Sequence, residues 1–81
     1  MAENPVGEMV AELARGLASS PDEVRVEAED EGATTVLCLY VAEQDLGRVI
    51  GRGGRIAHAL RTLVRAAASA RGERLSLEIV D

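Results

Sequence analysis

Ile50-Gly51-Arg52-Gly53-Gly54 sets three glycines around one arginine, a combination suited to holding an anion on main-chain N–H groups. Glycine has no Cβ, so it takes positive φ and lets another group come close to the backbone. A helix starting directly after Gly54 would aim its first unpaired N–H groups and the positive end of its dipole into the same space. Helix starts of this kind bind phosphate. The charge distribution agrees. Gly47 to Gly72 carries six arginines and no acidic residue, whereas 11 carboxylates and two arginines precede Gly47 and the net charge of the chain is −5. A glycine-rich loop in the one basic island of an acidic chain points to a bound polyanion.

The loop needs elements to hold it. Asn4-Pro5 has the form of an N-cap followed by proline at the first helical position, and Val6, Met9, Val10, Leu13 and Leu17 recur at the spacing of an apolar helical stripe. Ser19, Ser20 and Pro21 close that helix. Val24, Val26 and Ala28 then alternate with charged residues as in a half-buried strand, and Asp30-Glu31-Gly32 supplies a turn. From Thr34 to Val41 nearly every residue is apolar, which suits the centre of a sheet. Glu43 to Ile50 reads as a short helix with Glu43 and Asp45 in its first turn and Leu46, Val49 and Ile50 on one face, ending at Gly51. Beyond Gly54, the residues Ile56, Leu60, Leu63, Val64 and Ala67 form a core-facing stripe opposite His58, Arg61, Thr62, Arg65 and Ser69. Gly72 ends this helix, and Leu75, Leu77 and Ile79 alternate in a last strand. The order is α-β-β-α-α-β, an α+β fold. A hairpin joins the first two strands, and a right-handed crossover sets the last strand parallel to the central one, giving a three-stranded mixed sheet with helices packed on one face.

Composition excludes several classes. The 81 residues, 1–81, suit one domain, and Tyr40 is the only aromatic residue, so the aromatic stacking platform of many RNA binders is absent. The chain has no lysine, which removes the P-loop, and Gly51 follows a helix rather than the strand that a dinucleotide fingerprint requires. One histidine and one cysteine leave no metal site and no nucleophile-base pair. Neither an enzyme nor a cofactor is expected. Cys38 cannot form an intramolecular disulfide and reads as a core residue; with no signal-like or membrane-spanning apolar run, a cytoplasmic protein is expected.

An Ile-Gly-x-x-Gly loop between two short helices, after a hairpin and before a last strand, resembles a type II KH domain. Ser20-Pro21-Asp22-Glu23-Val24-Arg25-Val26, Asp45-Leu46-Gly47-Arg48-Val49-Ile50-Gly51, Gly54-Arg55-Ile56-Ala57, Leu60-Arg61-Thr62-Leu63 and Leu77-Glu78-Ile79-Val80-Asp81 are similar to the small bacterial KH proteins of the KhpA family. The resemblance implies a single-stranded RNA partner, a homodimer or a heterodimer with a KhpB-type KH protein, and roles as an RNA chaperone in post-transcriptional and cell-shape control. It also implies that about four nucleotides lie in a groove with the GxxG loop on the backbone side. Gly51, Arg52, Gly53 and Gly54 form that loop, Arg48 and Arg55 flank it, and Val49 and Ile50 offer apolar contact to the bases. Gly53 departs from the polar residue more usual at its position, leaving the loop one basic side chain and more freedom.

Two other readings compete. A helix-hairpin-helix DNA binder uses a Gly-hydrophobic-Gly turn, but the middle position here is Arg52 and such a motif does not call for three strands. An interaction or dimerisation module is suggested by the apolar strand from Thr34 to Val41 and the alanine-rich stretch from Ala66 to Ala70. Arg61, Arg65 and His58 read as a solvated helix face.

Overall fold

The computed structural model describes residues 4–81. Helix α1 spans Pro5–Leu17, strand β1 Arg25–Glu31, β2 Thr34–Tyr40, the short helix α2 Leu46–Ile50, α3 Arg55–Ala70 and β3 Leu75–Ile79, with single 3₁₀ turns at Pro21–Glu23, Glu43–Asp45 and Arg52–Gly54. Asn4 caps α1: its side-chain oxygen accepts from the N–H groups of Val6 at 2.8 Å and Gly7 at 3.4 Å. At the other end of the chain Gly72 takes φ +67°, and the N–H of Glu73 returns to the Ala68 carbonyl at 2.8 Å, closing α3 in a Schellman-type turn.

The sheet order is β1-β2-β3, antiparallel between β1 and β2 and parallel between β2 and β3. The expected mixed sheet with the apolar strand at its centre is therefore present. Register places Val26, Leu39 and Ile79 in one row and Ala28, Leu37 and Leu77 in the next, all on one face. That face meets α1 and α3, and Leu37 and Leu39 are fully buried there. The hairpin turn sits slightly later than expected: Glu31 still pairs with Thr34, and Gly32 at φ +70° begins the reversal.

Both long helices keep most of the expected stripe in or against the core, with Met9, Leu17, Ile56 and Ala67 partly buried there, but each is turned toward its small residues. In α1 the buried residues are Val6, Gly7, Val10, Ala11 and Ala14, while Leu13 is 40% exposed. In α3 they are Ala57, Leu60, Val64 and Ala68, while Leu63 is 46% exposed. In each case the packed face centres on small residues. Close approach explains this, since a Cβ at Gly7 would already stand 3.3 Å from Val26 Cγ1. The sheet supplies the bulk through Leu37, Leu39 and Leu77, and the helices settle onto it through glycine and alanine. Alternation alone would bury Ala28, but from Glu27 to Ala33 every residue is exposed, so the tip of the hairpin is solvated.

Candidate nucleic-acid interface

Helix α2 is only five residues long and stops where the Gly51 N–H donates to the Gly47 carbonyl at 2.9 Å. Gly51 then turns to φ +80°, ψ 168°, a conformation open essentially to glycine alone. A Cβ there would lie 2.7 Å from Ile56 Cγ1 and 2.9 Å from the Ile56 backbone nitrogen. The glycine thus lets the loop lie directly on the first turn of α3. Gly53 and Gly54 follow at φ +64° and +77°, and α3 begins at Arg55 as the sequence indicated.

Of the N–H groups in this turn, that of Gly54 is used by the Gly51 carbonyl at 3.0 Å and that of Arg55 by the Arg52 carbonyl. The three glycines therefore do not all present free donors, because the 3₁₀ turn consumes two N–H groups. Arg52 and Gly53 are the loop residues whose N–H groups have no main-chain acceptor among the described residues. Arg52 and Arg55 are exposed, and among the described residues neither is in an ion pair. Arg48 is different: its Nε stands 3.4 Å from Asp45 Oδ1, which offsets part of its charge. Ile50 is 38% exposed beside the loop, whereas Val49 is fully buried in the core. The expectation that Val49 touches bases is corrected by this packing, since its side chain points from α2 inward; Ile50 is the apolar residue left at the surface.

Sequence reasoning gave Asp45 a helix-dipole role and missed its actual one. The carboxylate is completely buried. It accepts from the Ser19 N–H at 2.9 Å, the Ser19 hydroxyl at 2.7 Å and the Ser20 N–H at 3.0 Å. The link after α1 is thereby tied to the base of α2, one turn before the glycine loop. The signal was two serines before a proline with an aspartate far along the chain, which no local pattern connects. The Ser19 N–H and hydroxyl hold the carboxyl below its ordinary value of 3.8, against the opposing effect of burial and helped by the Ser20 N–H and Arg48. A depressed folded-state pKa adds stability above the unfolded value, and this is lost as pH falls through the folded one. Asp45→Asn is expected to lower the thermal midpoint by several degrees at neutral pH and to remove the part of the acid-induced loss that sets in below about pH 4. Thermal melts of both proteins across pH check this.

The other face of the sheet has the opposite character. Cys38 pairs with Glu27 and Glu78 across the ladder, and burial, reinforced by the carboxylates of Glu29, Glu78, Glu27 and Glu31, pushes its thiol pKa up. It is buried as expected, yet under an acidic surface rather than among the leucines. Burial likewise raises the Tyr40 hydroxyl, with Glu27 adding to the shift, and the Arg25 guanidinium lies 4.0 Å from its ring centroid. Such a face repels a polyanion. Among the described residues no group of three or more His, Cys, Asp or Glu side chains is placed to hold a metal ion, and no helix is long and apolar enough to cross a membrane.

Known proteins share this arrangement. A solved structure of an Aquifex aeolicus Era variant, bound to GDP and aluminium fluoride, superposes on 96% of the chain with a TM-score of 0.62 at 19% identity, a likeness of fold alone that takes in 31% of that longer chain. Sequence relatives are much nearer. The RNA-binding protein KhpA of Treponema pallidum is 47% identical over 91% of this chain and 92% of its own length. Its counterpart in Leifsonia xyli is 48% identical over 85% and 88%, and that of Caldanaerobacter subterraneus 43% over 93% and 100%. The model of the KhpA/KhpB KH domain matches residues 7–79, which take in the elements from α1 to β3 and the whole glycine loop. By that match and those identities the chain belongs to the KhpA/KhpB family of KH-domain proteins.

Proposed function

We propose that this protein binds single-stranded RNA, without catalysis, by its phosphate backbone at the Gly51–Gly54 loop. The observation that carries the reading is the pair of N–H groups on Arg52 and Gly53, set at a helix start beside the guanidiniums of Arg52 and Arg55, all without a partner among the described residues. The names of the relatives support RNA as the ligand. Phosphates meet the two N–H groups and the two guanidiniums, Ile50 gives apolar contact to an unstacked base, and Arg48 adds a weaker pull because Asp45 shares its charge. With Tyr40 on the far face of the sheet, no aromatic residue stacks on a base. Binding is therefore weak and tolerant of sequence. The proposal extends to action in the cytoplasm as an RNA chaperone or post-transcriptional regulator, and the family name KhpA/KhpB supports a KhpB-type partner.

Salt dependence tests the ionic part. With roughly three to five phosphates contacted on a short unstructured RNA, the log–log slope of affinity against salt should be about −2 to −3.5. Fluorescence anisotropy between low and moderate salt measures it, and a flat response would exclude phosphate contacts as the source of affinity.

A second reading, self-association, has its own observation. Ala59, Leu63, Ala66 and Ala70 are all exposed and recur at spacings of four, three and four on α3. Such a stripe lets two helices pack closely. Light scattering at micromolar concentrations is expected to give a dimer mass; a strictly monomeric mass would remove this reading.

A further inference from the structure

The outer side of α3 leads away from the loop. Arg55, His58, Thr62, Arg65 and Ser69 are exposed and recur at spacings of three and four, which places them in one line along the helix. At the helical rise per residue this line covers roughly 21 Å. No carboxylate occurs anywhere on α3. Sequence reasoning treated His58 and Arg65 as a solvated helix face and Arg55 as a flank of the loop, but the line ends in a cleft of about 400 Å³, bordered by Thr34, Arg65, Ser69, Glu73 and Arg74 over Ala68.

The groups around this cleft favour an anion. Neither Arg65 nor Arg74 takes part in an ion pair among the described residues, and the one bordering carboxylate, Glu73, is already held by Arg71 Nε at 3.1 Å. The hydroxyls of Thr34 and Ser69 have no hydrogen-bond partner among the described residues and are available as donors. The backbone beneath is fixed: the Thr35 N–H donates to the Arg74 carbonyl at 3.0 Å and the Gly72 N–H to the Ser69 carbonyl at 3.1 Å. The carbonyl end of α3 opposes an anion with about half a charge. Two guanidiniums outweigh it, and the turn at Gly72 and Glu73 covers several of those carbonyls.

We infer that this cleft is a second phosphate-binding site, at which an RNA strand gripped by the Gly51–Gly54 loop makes a further backbone contact after following the polar line of α3. The identity of the strand rests on the RNA reading above; the affinity of the cleft for phosphate does not. Arginine and hydroxyl groups together match the oxygens of a phosphate ester. A free phosphate-bearing small molecule offers the same chemistry, and the experiment separates the two sources.

Anisotropy titrations would compare RNAs of about four and about sixteen nucleotides on the wild type and on the double variant Arg65→Gln with Arg74→Gln, whose fold is checked by circular dichroism. The expected result is that the longer RNA loses about tenfold in affinity and its salt slope becomes shallower by about 0.7 for each lost contact, while the short RNA is unchanged. In parallel, inorganic phosphate is titrated against the amide resonances of Thr34, Ser69 and Arg74. Phosphate shifts that vanish in the variant, with long-RNA binding unaffected, would overturn the RNA path and assign the cleft to a small phosphate. No length-dependent loss together with no phosphate shift would overturn the site altogether. Should the wild type bind neither RNA yet show the phosphate shifts, the RNA reading fails and the cleft stands.

Discussion

Replacing Arg52 and Gly53 together by aspartate is expected to abolish RNA binding while leaving the protein folded. Both positions are exposed, and a Cβ at Gly53 meets nothing within 4 Å. The φ of +64° there is one that aspartate visits more readily than most residues, at about 1 kcal/mol. The electrostatic change is much larger. One positive charge and a neutral residue become two carboxylates, placed beside the two N–H groups that would meet phosphates. Each charge pair at about 4 Å is worth roughly 1 kcal/mol in water and about 4 kcal/mol near a protein surface. At the near-surface value, a reversal against even two phosphates exceeds the roughly 4–8 kcal/mol of millimolar to micromolar binding. Anisotropy should show no saturable binding at low salt, and circular dichroism should show unchanged helix content. Undiminished affinity would mean that the loop is not where RNA is held.

Gly51→Ala is expected to be the most damaging single methyl group in the loop. The residue sits at φ +80°, ψ 168°, where any side chain costs about 1–3 kcal/mol. The new Cβ would also stand 2.9 Å from the Ile56 backbone nitrogen, an atom that cannot move without shifting the start of α3. A total of about 3 kcal/mol or more is large for a chain of 81 residues, whose whole stability is of the order of 4–12 kcal/mol. Gly53→Ala has open space around it and should cost only about 1–2 kcal/mol. Urea unfolding of the two variants gives the comparison, and equal midpoints would contradict the contact between loop and helix.

Local chemistry was legible in the sequence where a signal lies within a few residues of what it controls. Asn4 and Pro5 start α1, Gly72 ends α3, and the alternation of Leu75, Leu77 and Ile79 gives β3 its inward face. The apolar run from Thr34 found the central strand. Periodicity misled at Leu13 and Leu63 because it weights large aliphatic residues, whereas packing here is set by how closely a helix can approach the sheet. Gly7, Ala11 and Ala14 decide that for α1, and Ala57 and Ala68 for α3. At the site, the glycines and arginines were visible as residue types. Which N–H groups stay free, and that Val49 points inward, depend on the 3₁₀ turn and on the rotation of a five-residue helix. The clamp on Asp45 joins positions separated by some 25 residues, and nothing local encodes it.

That clamp bears on how such a sequence can change over generations. Residue 45 satisfies two main-chain N–H groups and one hydroxyl of the link after α1, so an uncharged or shorter side chain there strands donors in a buried place. A proline at position 19 removes both donors to Asp45 Oδ1, and one at position 20 removes the donor to Oδ2. An isolated replacement at either end is therefore expected to cost stability, as it is for Asp45→Asn. The inner aspartate and the distant serines act as one structural unit, whereas a change at the exposed Arg52 leaves the frame that carries it undisturbed.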